Sequence, residues 1–453
     1  MSRQFYFAES AYVGSGWAKN VKIEILDGFI KSVVHNSEPS GADVLTGPIV
    51  PSVANLHSHA FQRIMAGMTE ESLDPNDSFW SWRELMYRLV QSITPDDMRK
   101  IGTFLYIELL KFGYTQVAEF QYLHHDVNGV RYHNIAEMSS QLVQAAEQVG
   151  IGITLLPVLY SYSGFGAQPA NSGQARFIND VDSYLTLRGH CDDLTSRSVL
   201  NNTGVCFHSL RAVSASQITQ VLESTDSQSP IHIHISEQMK EVSDCLEWSG
   251  QRPVEWLAGH FELDSRWCLI HATHIDDTEV RTIAESSAVV GICPSTEANL
   301  GDGIFPGVDF SNAGGVWGVG SDSHVCVSLT DELRSLEYSQ RLSLQQRNRM
   351  HDSDTPKVGD FLLQQAVKGG AQACNVQMGI EVGSRADFIV LDGDCPFIGA
   401  SKPEDIINRW IFAQTENVVK DVFVAGKRVV KDFHHSLQEQ SRCEFIEVIK
   451  RLM

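Results

Sequence analysis

Eight short apolar segments, separated by longer amphipathic segments, constrain the fold more than any other feature of this sequence. The apolar segments lie at 49–56, 115–120, 151–159, 204–208, 231–235, 268–271, 288–293 and 316–320. Several of the intervening segments repeat apolar residues at the three- and four-residue spacing of an α-helix, namely 95–111, 134–148, 214–223, 254–260, 276–285 and 331–346. Eight such units predict an α/β fold with a TIM-like (β/α)8 barrel. A doubly wound sheet is the competing fold, but no GxGxxG follows the first strand candidate.

The two ends of the chain have a different, strand-rich pattern. Short strand candidates at 4–8 and 21–26 alternate with turn residues such as Gly14 and Gly28. After about residue 380 a turn and strand at 383–392 precede a hairpin at 419–430. We therefore predict that residues 1–46 and 380–453 together form a small composite β-sandwich domain, and that residues 47–379 form the barrel.

Charge and targeting signals exclude several classes of partner. The 35 basic and 56 acidic residues give a net charge of −21, and so acidic a surface repels phosphate backbones and anionic membranes. No run of 18 apolar residues is present, and the N-terminus lacks the apolar run of a signal peptide. We expect a cytoplasmic protein that binds neither nucleic acid nor membrane. The nine cysteines include no CxxC pair, which argues against a disulfide framework or a cysteine-rich zinc site.

Potential metal ligands follow four of the strand candidates. His57 and His59 end the first, His234 the fifth and His271 the sixth, while Asp322 follows the eighth. Each motif alone has an ordinary explanation, such as surface histidines, a buried core histidine or a Gly-Ser-Asp turn. In a TIM barrel, however, these strand ends converge on one face. Imidazole and carboxylate suit Zn²⁺, although Fe²⁺ or another divalent ion would also bind them.

The order HxH, His, His and Asp on strands one, five, six and eight resembles the amidohydrolase superfamily. The fourth strand candidate contains no lysine, so the sequence is similar to the single-metal deaminase branch and not to members whose carboxylated lysine bridges two metals. This resemblance implies that one divalent ion, with Zn²⁺ the first choice, is held by His57, His59, His234 and Asp322. It also implies two catalytic residues. Glu237 would transfer protons, and His271 would bond the attacking water, with a fifth-ligand role for His271 left open.

Longer strings resemble the formimidoylglutamate deiminase family of histidine degradation. They lie at 51–67, 79–87, 119–125, 208–213, 232–238 and 293–303. The resemblance implies a homodimer that hydrolyses N-formimidoyl-L-glutamate, a small anionic amidine, to N-formyl-L-glutamate and ammonia. It also implies five substrate-binding residues: Gln62, Arg83, Tyr122, His208 and Arg211. Without it, Arg83 would be interpreted as a solvated helix residue and Tyr122 as a packing aromatic.

Other functions remain as alternatives at the level of sequence. The first is an amidohydrolase-type deaminase of a heterocycle such as guanine, cytosine or a triazine, whose site would not need two arginines. The second is a catalytically inactive barrel that acts as a scaffold, but every expected ligand is present. The signature of the His/Cys/Cys nucleotide deaminases is absent. The sequence assigns no role to His124, His125 or His324.

Overall fold

The protein is described by a computed structural model that covers residues 3–71 and 79–453, with the backbone alone at 79–81. Eight parallel strands form a barrel in which each strand pairs with the next along the chain. They are β1 (Val53–Ser58), β2 (Tyr114–Gln121), β3 (Gly152–Leu159), β4 (Val205–Ser209), β5 (Ile231–Ile235), β6 (Trp267–His271), β7 (Val289–Ile292) and β8 (Val316–Val319). A short strand, Asn202–Thr203, is added beside β3. The predicted barrel is confirmed.

Helices alternate with these strands. In the barrel region they are Phe79–Val90, Pro95–Lys111, Glu137–Val149, Val181–Thr195, Ala215–Ser224, Met239–Ser249, Pro253–His260, Asp277–Ser286, Pro294–Leu300, Gly307–Asn312, Leu329–Leu344 and Val358–Ala373, with 3-10 turns at Ala60–Met65 and Ser172–Gln174. The six helices expected from periodicity are present with small shifts at their ends. Among the described residues, no helix is both long and apolar enough to cross a bilayer.

The barrel closes at the HxH segment. β1 and β8 meet at an isolated parallel bridge between Ser58 and Asp322. The Asp322 N–H donates to the His57 carbonyl at 3.0 Å, and the His59 N–H donates to the Asp322 carbonyl at 3.2 Å. A Cβ on Gly320 would lie 2.7 Å from the Cβ of His57, so this approach requires a residue without a side chain. The closure therefore brings the two ends of the barrel sequence together at the predicted ligands.

The terminal segments form one continuous sheet of nine strands. Its strands are Arg3–Val13, Gly16–Leu26, Phe29–Val34, Asp43–Val44, Ile49–Pro51, Phe388–Leu391, Val419–Val424, Lys427–Lys431 and His434–His435. Ile49–Pro51 connects the two halves, because it pairs with Arg3–Val13 on one side and with Phe388–Leu391 on the other. Side chains from both ends, including Ile23 and Phe423, share one apolar cluster. The predicted composite β domain is confirmed, while its limits at residues 46 and 380 stay a prediction.

Two features of the fold differ from the sequence pattern. The first apolar segment is not one strand, because Ser52 separates Ile49–Pro51 of the terminal sheet from β1. The C-terminal region is also partly helical. Its helices are Pro396–Gly399, Ile406–Phe412 and Gln438–Leu452, with a 3-10 turn at Pro403–Asp405. The last helix packs on the barrel, where Phe445 stacks on Phe104 with ring centroids 4.2 Å apart.

Candidate active site

The four predicted metal ligands converge at the carboxyl ends of the barrel strands. The Nε2 atom of His234 lies 3.1 Å from Nε2 of His57 and 3.3 Å from Nε2 of His59. An Asp322 carboxylate oxygen lies 3.4 Å from both Nε2 atoms of the HxH pair. All four side chains are buried. The ligand atoms of His57, His59 and His234 lie within 4.8 Å of one another, and those of His57, His271 and Asp322 form a second such group that shares His57.

The hydrogen bonds of these rings test whether a metal ion fits. The Nδ1 atoms of His59 and His234 each lie 2.9 Å from a backbone carbonyl, of Phe120 and His208 respectively. Since a carbonyl only accepts, each Nδ1 carries a proton, and each Nε2 of the neutral ring presents a lone pair. Burial lowers the pKa of both rings, and of His57, below the ordinary value. Lone pairs that face one another at about 3 Å need a cation between them, so the donor set fits a divalent metal ion.

His271 lies beside this group and is held from behind by a carboxylate. Its Nδ1 is 3.2 Å from Glu297, and its Nε2 is 3.8 Å from Asp322 and 3.9 Å from Glu237. Burial lowers the pKa of His271, but the surrounding carboxylates outweigh it and raise that pKa to about 10. Held in this way by Glu297, the ring can donate a hydrogen bond from Nε2 to a water. The ligand atoms of His57, His271 and Asp322 also lie within 4.8 Å of one another, so the geometry fits both the water-bonding role and the fifth-ligand role.

Glu237 is the buried carboxyl closest in sequence to a proposed ligand. It follows β5 and lines the cavity next to His271. Burial raises the pKa of Glu237 to about 7, assisted by the negative charge of Asp322 and opposed by His271. A carboxyl with a pKa near neutrality accepts and returns a proton with comparable ease. Its environment therefore suits a group that acts as base and then as acid.

The backbone is locally strained at the strand ends that carry these groups. Ser236, His271 and Asp322 have φ values of 53°, 69° and 45°. Residues other than glycine seldom adopt this left-handed region, and such conformations persist only where surrounding contacts hold them. His271 and Asp322 themselves line the cavity, as does Glu237, which follows Ser236.

A cavity opens above the proposed metal ligands. All five predicted substrate-binding residues line it together with Glu237 and His271: Gln62, Arg83, Tyr122, His208 and Arg211. The sequence analysis missed six other lining residues: Trp82, Met86, Tyr87, Tyr160, Phe177 and Leu300. Aromatic and apolar residues on these helices and loops carry no sequence signal that separates a cavity wall from ordinary packing, so only the fold could identify them.

Hydrogen bonds and ring contacts hold the polar side chains of this wall in place. Gln62 Nε2 donates to the hydroxyl of Tyr122 at 2.9 Å. The ring of His208 stacks on Tyr160 with centroids 4.3 Å apart and an interplanar angle of 11°. Gln174 Nε2 donates to the Tyr160 hydroxyl at 2.6 Å. The wall is therefore fixed before a ligand arrives.

Two guanidinium groups give the cavity a positive wall inside an acidic protein. Arg83 lies on the helix Phe79–Val90, with its guanidinium 5.5 Å from the ring centre of Tyr87. Arg211 follows β4 and is half-buried. Burial lowers the pKa of Arg211, but the negative charge of Glu241 and other neighbours outweighs this effect and raises the pKa above its ordinary value. This side chain therefore keeps its charge. Arginine binds carboxylates through two parallel hydrogen bonds, so this wall suits a ligand with carboxylate groups.

Three histidines without a predicted role, and one glutamate, take positions outside the cavity. His124 and His125 each bond a backbone carbonyl through Nε2, of Val158 at 3.0 Å and of Ile178 at 2.9 Å. His324 lies between two serine hydroxyls beneath the HxH segment. Glu297, which orients His271, was missed because its partner lies 26 residues away in sequence.

The sequence matches a known protein family, in agreement with this geometry. The family described as "Amidohydrolase family" matches residues 49–429. The chain belongs to the amidohydrolase family. A second family, "Formimidoylglutamate deiminase HutF, N-terminal domain", matches residues 3–47, which contribute to the terminal sheet. The predicted membership of the superfamily is thereby confirmed, and amidohydrolases are metal-dependent enzymes, as the histidine cluster here would require.

Three individual proteins are similar to this chain over almost its whole length. The formimidoylglutamate deiminase of Pseudomonas aeruginosa is 50% identical over 449 residues, which cover 99% of both chains. The crystal structure of an amidohydrolase from Brucella melitensis superimposes with a TM-score of 0.94 at 42% identity and covers 99% of each chain. An adenosine deaminase from Xanthomonas campestris, solved with bound zinc, shares the fold at 18% identity with a TM-score of 0.82, covering 99% of this chain and 98% of its own. This amidohydrolase is thus similar over its whole length to a formimidoylglutamate deiminase.

Proposed function

We propose that this amidohydrolase hydrolyses N-formimidoyl-L-glutamate to N-formyl-L-glutamate and ammonia, as a step of histidine degradation. The observation that carries the proposal is one cavity in which Arg83 and Arg211 face a buried histidine–aspartate cluster with Glu237 beside it. The two guanidiniums match the two carboxylates of the substrate, and the polar floor matches its amidine. The 50% identity to a protein named formimidoylglutamate deiminase supports the same activity.

The proposed cofactor is one Zn²⁺ ion held by His57, His59, His234 and Asp322. When bound, such an ion acts as a Lewis acid that acidifies water and polarises the formimidoyl group. The chain's own contribution is to keep the three imidazoles neutral by burial, and to hold the protons of His59 and His234 on Nδ1 through their carbonyl partners. Zinc is preferred because a compact site of three nitrogens and one oxygen suits its coordination.

The side chains around the cluster divide the proton transfers between them. Glu237 takes a proton from the attacking water and delivers it to the terminal nitrogen of the formimidoyl group. It then moves the remaining hydroxyl proton of the tetrahedral adduct to the same nitrogen, which leaves as ammonia while the carbonyl of the formyl group forms. His271 donates its Nε2–H to the oxygen that develops negative charge, while Glu297 holds its Nδ1–H. One C–O bond forms and one C–N bond breaks, so a single carboxyl that is base and then acid completes the turnover.

Ammonia release from defined substrates tests the proposal. Protein of known metal content is assayed with N-formimidoyl-L-glutamate, guanine and cytosine in parallel. We expect release only from the formimidoyl compound, with loss of activity on chelation and recovery on addition of Zn²⁺. Release from guanine or cytosine but not from the formimidoyl compound would instead identify a heterocycle deaminase.

Substitution of the cavity arginines tests the dicarboxylate assignment. Loss of a charged hydrogen bond costs about 1.5–3 kcal/mol, so Arg83→Met and Arg211→Met should each lower kcat/KM by roughly 10- to 150-fold. Arg88→Met is the matched control for Arg83, because Arg88 lies exposed on the same helix. Full activity in both cavity variants would contradict the assignment.

We also propose, from the resemblance, that the protein is a cytoplasmic homodimer. Sedimentation equilibrium of the metal-loaded protein measures the number of subunits directly. A mass near twice the 50.3 kDa of the chain is expected, and a monomer over the micromolar range would contradict a stable dimer.

A further inference from the structure

A buried carboxylate outside the cavity accepts hydrogen bonds from the HxH segment and the residue that follows it. Glu119, on β2, is fully buried. One of its oxygens accepts the N–H of Ala60 at 2.7 Å, and the other accepts the hydroxyls of Ser58 at 2.7 Å and Tyr106 at 2.9 Å. Ser58 lies between the two histidines of the pair, and Ala60 follows His59. A single carboxylate therefore holds the chain on both sides of a proposed metal ligand.

The contacts of Ser58 continue to the loop that carries the fourth proposed ligand. Ser58 Oγ lies 3.1 Å from Nε2 of His324, and Nδ1 of His324 lies 2.9 Å from Oγ of Ser321. Ser321 and His324 stand on either side of Asp322. Asn55, on β1, bonds both the hydroxyl of Ser321, at 2.6 Å, and its backbone N–H, at 3.0 Å. The chain of contacts thus spans the β1–β8 closure.

The directions of the hydrogen bonds in this chain follow from its two ends. At one end the Ser321 N–H can only donate, so its partner on Asn55 is the amide oxygen, and the Asn55 NH₂ donates to Ser321 Oγ. At the other end the Glu119 carboxylate accepts the proton of the Ser58 hydroxyl, so Ser58 Oγ accepts from Nε2–H of His324. The unprotonated Nδ1 of this neutral ring then accepts from the Ser321 hydroxyl. All protons point toward the carboxylate, which accepts without donating.

We propose that Glu119 is a positioning residue for the metal centre: through Ser58 and His324 it fixes the HxH pair relative to Asp322. The inference rests on the proposed ligand set. β1 and β8 are joined at this height by an isolated bridge, and Asp322 and His324 both have left-handed backbones, with φ of 45° and 60°. Buried side chains must therefore supply the order that a regular strand pair would otherwise give.

The substitution Glu119→Gln tests the proposal without changing the size of the side chain. The amide nitrogen cannot accept a hydrogen bond, so at least one donor of the network faces another donor. Loss of outer hydrogen bonds around metal ligands typically weakens metal binding by about 10- to 100-fold. We expect that decrease in chelator competition with Zn²⁺, together with an altered d–d absorption spectrum of the Co²⁺-substituted protein. Saturating Zn²⁺ should restore most of kcat.

Two further variants separate positioning from general stability. Glu337→Gln is the matched control. Glu337 lies on the helix Leu329–Leu344, outside the barrel interior, and is as buried as Glu119. It accepts the backbone N–H groups of Arg349 and Met350. It should leave the metal affinity and the Co²⁺ spectrum unchanged. Ser58→Ala cuts the link while keeping the carboxylate, and should shift both measurements in the same direction as Glu119→Gln.

Unchanged metal affinity and spectrum in Glu119→Gln and Ser58→Ala would overturn the proposal. An equal loss in Glu337→Gln would also overturn it, because that loss would reflect stability alone. The metal affinity and the Co²⁺ spectrum are measured without substrate, so their outcome is independent of which amidine the enzyme hydrolyses.

Discussion

Two buried glutamates near Arg211 show how position decides the role of a residue. Glu237 lines the cavity. Glu241, one helical turn further on, directs an oxygen to the N–H of Glu237 at 3.3 Å. Burial raises the pKa of both carboxyls. The two carboxyls are therefore similar in chemistry and burial. They differ in position, because Glu237 lines the cavity, where we propose that it transfers protons, while Glu241 supports the backbone of Glu237.

Replacement of Glu237 by glutamine should abolish turnover while metal binding persists. Proton transfer by a positioned side chain contributes about 10²- to 10⁴-fold to the rate, so kcat of Glu237→Gln is expected to fall by that factor. The metal content, measured by atomic absorption, should equal that of the unchanged protein. Glu241→Gln serves as the comparison and should lose less than about 10-fold. Turnover at the normal rate in Glu237→Gln would exclude it as the proton carrier.

The sequence predicted the residues that a strand end presents, but not those that reach the site from elsewhere. His57, His234 and Asp322 follow apolar runs, so the barrel topology alone brings them together. Glu297 approaches His271 from a short helix, and His324 bonds Ser58 at the end of β1 as well as Ser321 in the loop after β8. Their roles depend on distances across the barrel, and no local pattern encodes such distances.

At the scale of elements, the helix Phe79–Val90 carries part of the cavity wall and is anchored by one arginine. It presents Trp82, Arg83 and Tyr87 to the cavity. Arg176 is fully buried and donates to the carbonyls of Val90 and Ile93 at the end of this helix. It also donates to the carbonyl of His125. A cation at a helix C-terminus is favourable, and here it ties the helix to the loop after β2.

Shortening this anchor should weaken substrate binding. A lysine cannot reach three carbonyls in the planar arrangement that a guanidinium satisfies, and each lost bond costs about 1 kcal/mol. In Arg176→Lys we expect KM to rise roughly 5- to 30-fold, with faster hydrogen exchange in the helix Phe79–Val90. The control is Arg188→Lys, since Arg188 is a largely buried arginine that bonds Ser229 away from the cavity. An unchanged KM with unchanged exchange would show that the helix does not depend on Arg176.

The helix Val358–Ala373 shows why one element escaped prediction. Gly369 and Gly370 lie in its interior, where glycine weakens a helix. A Cβ on Gly369 would lie 2.0 Å from the carbonyl oxygen of Trp317, so the glycines are needed for close packing on β8. Tertiary contact overrides local preference here, and a single sequence gives no sign of that contact.

At the scale of the whole molecule, a buried ion pair joins the terminal sheet to the floor of the barrel. Arg385 and Asp387, beside the strand Phe388–Leu391, are 2.5 Å apart and almost fully buried. Arg385 also donates to the side chain of Gln116 at 3.0 Å, near the start of β2. This end of a TIM barrel lies opposite the active site and contributes to stability. Residues 1–46 and 380–453 are structurally distinct from the barrel at 47–379. We therefore propose that they nevertheless unfold together with the barrel, in a single transition.

Breaking this pair should destabilise both parts together and leave the chemistry intact. Asp387→Asn leaves the guanidinium of Arg385 buried without its countercharge, which costs about 3–5 kcal/mol. We expect the free energy of unfolding in urea to fall by that amount in one transition, with kcat and metal content unchanged at 25 °C. Glu24→Gln, which breaks the exposed pair with Arg3 in the same sheet, should leave the free energy of unfolding nearly unchanged. Two separate transitions in Asp387→Asn would show instead that the barrel folds without the sheet, because an independent barrel would keep its midpoint while the terminal strands came apart.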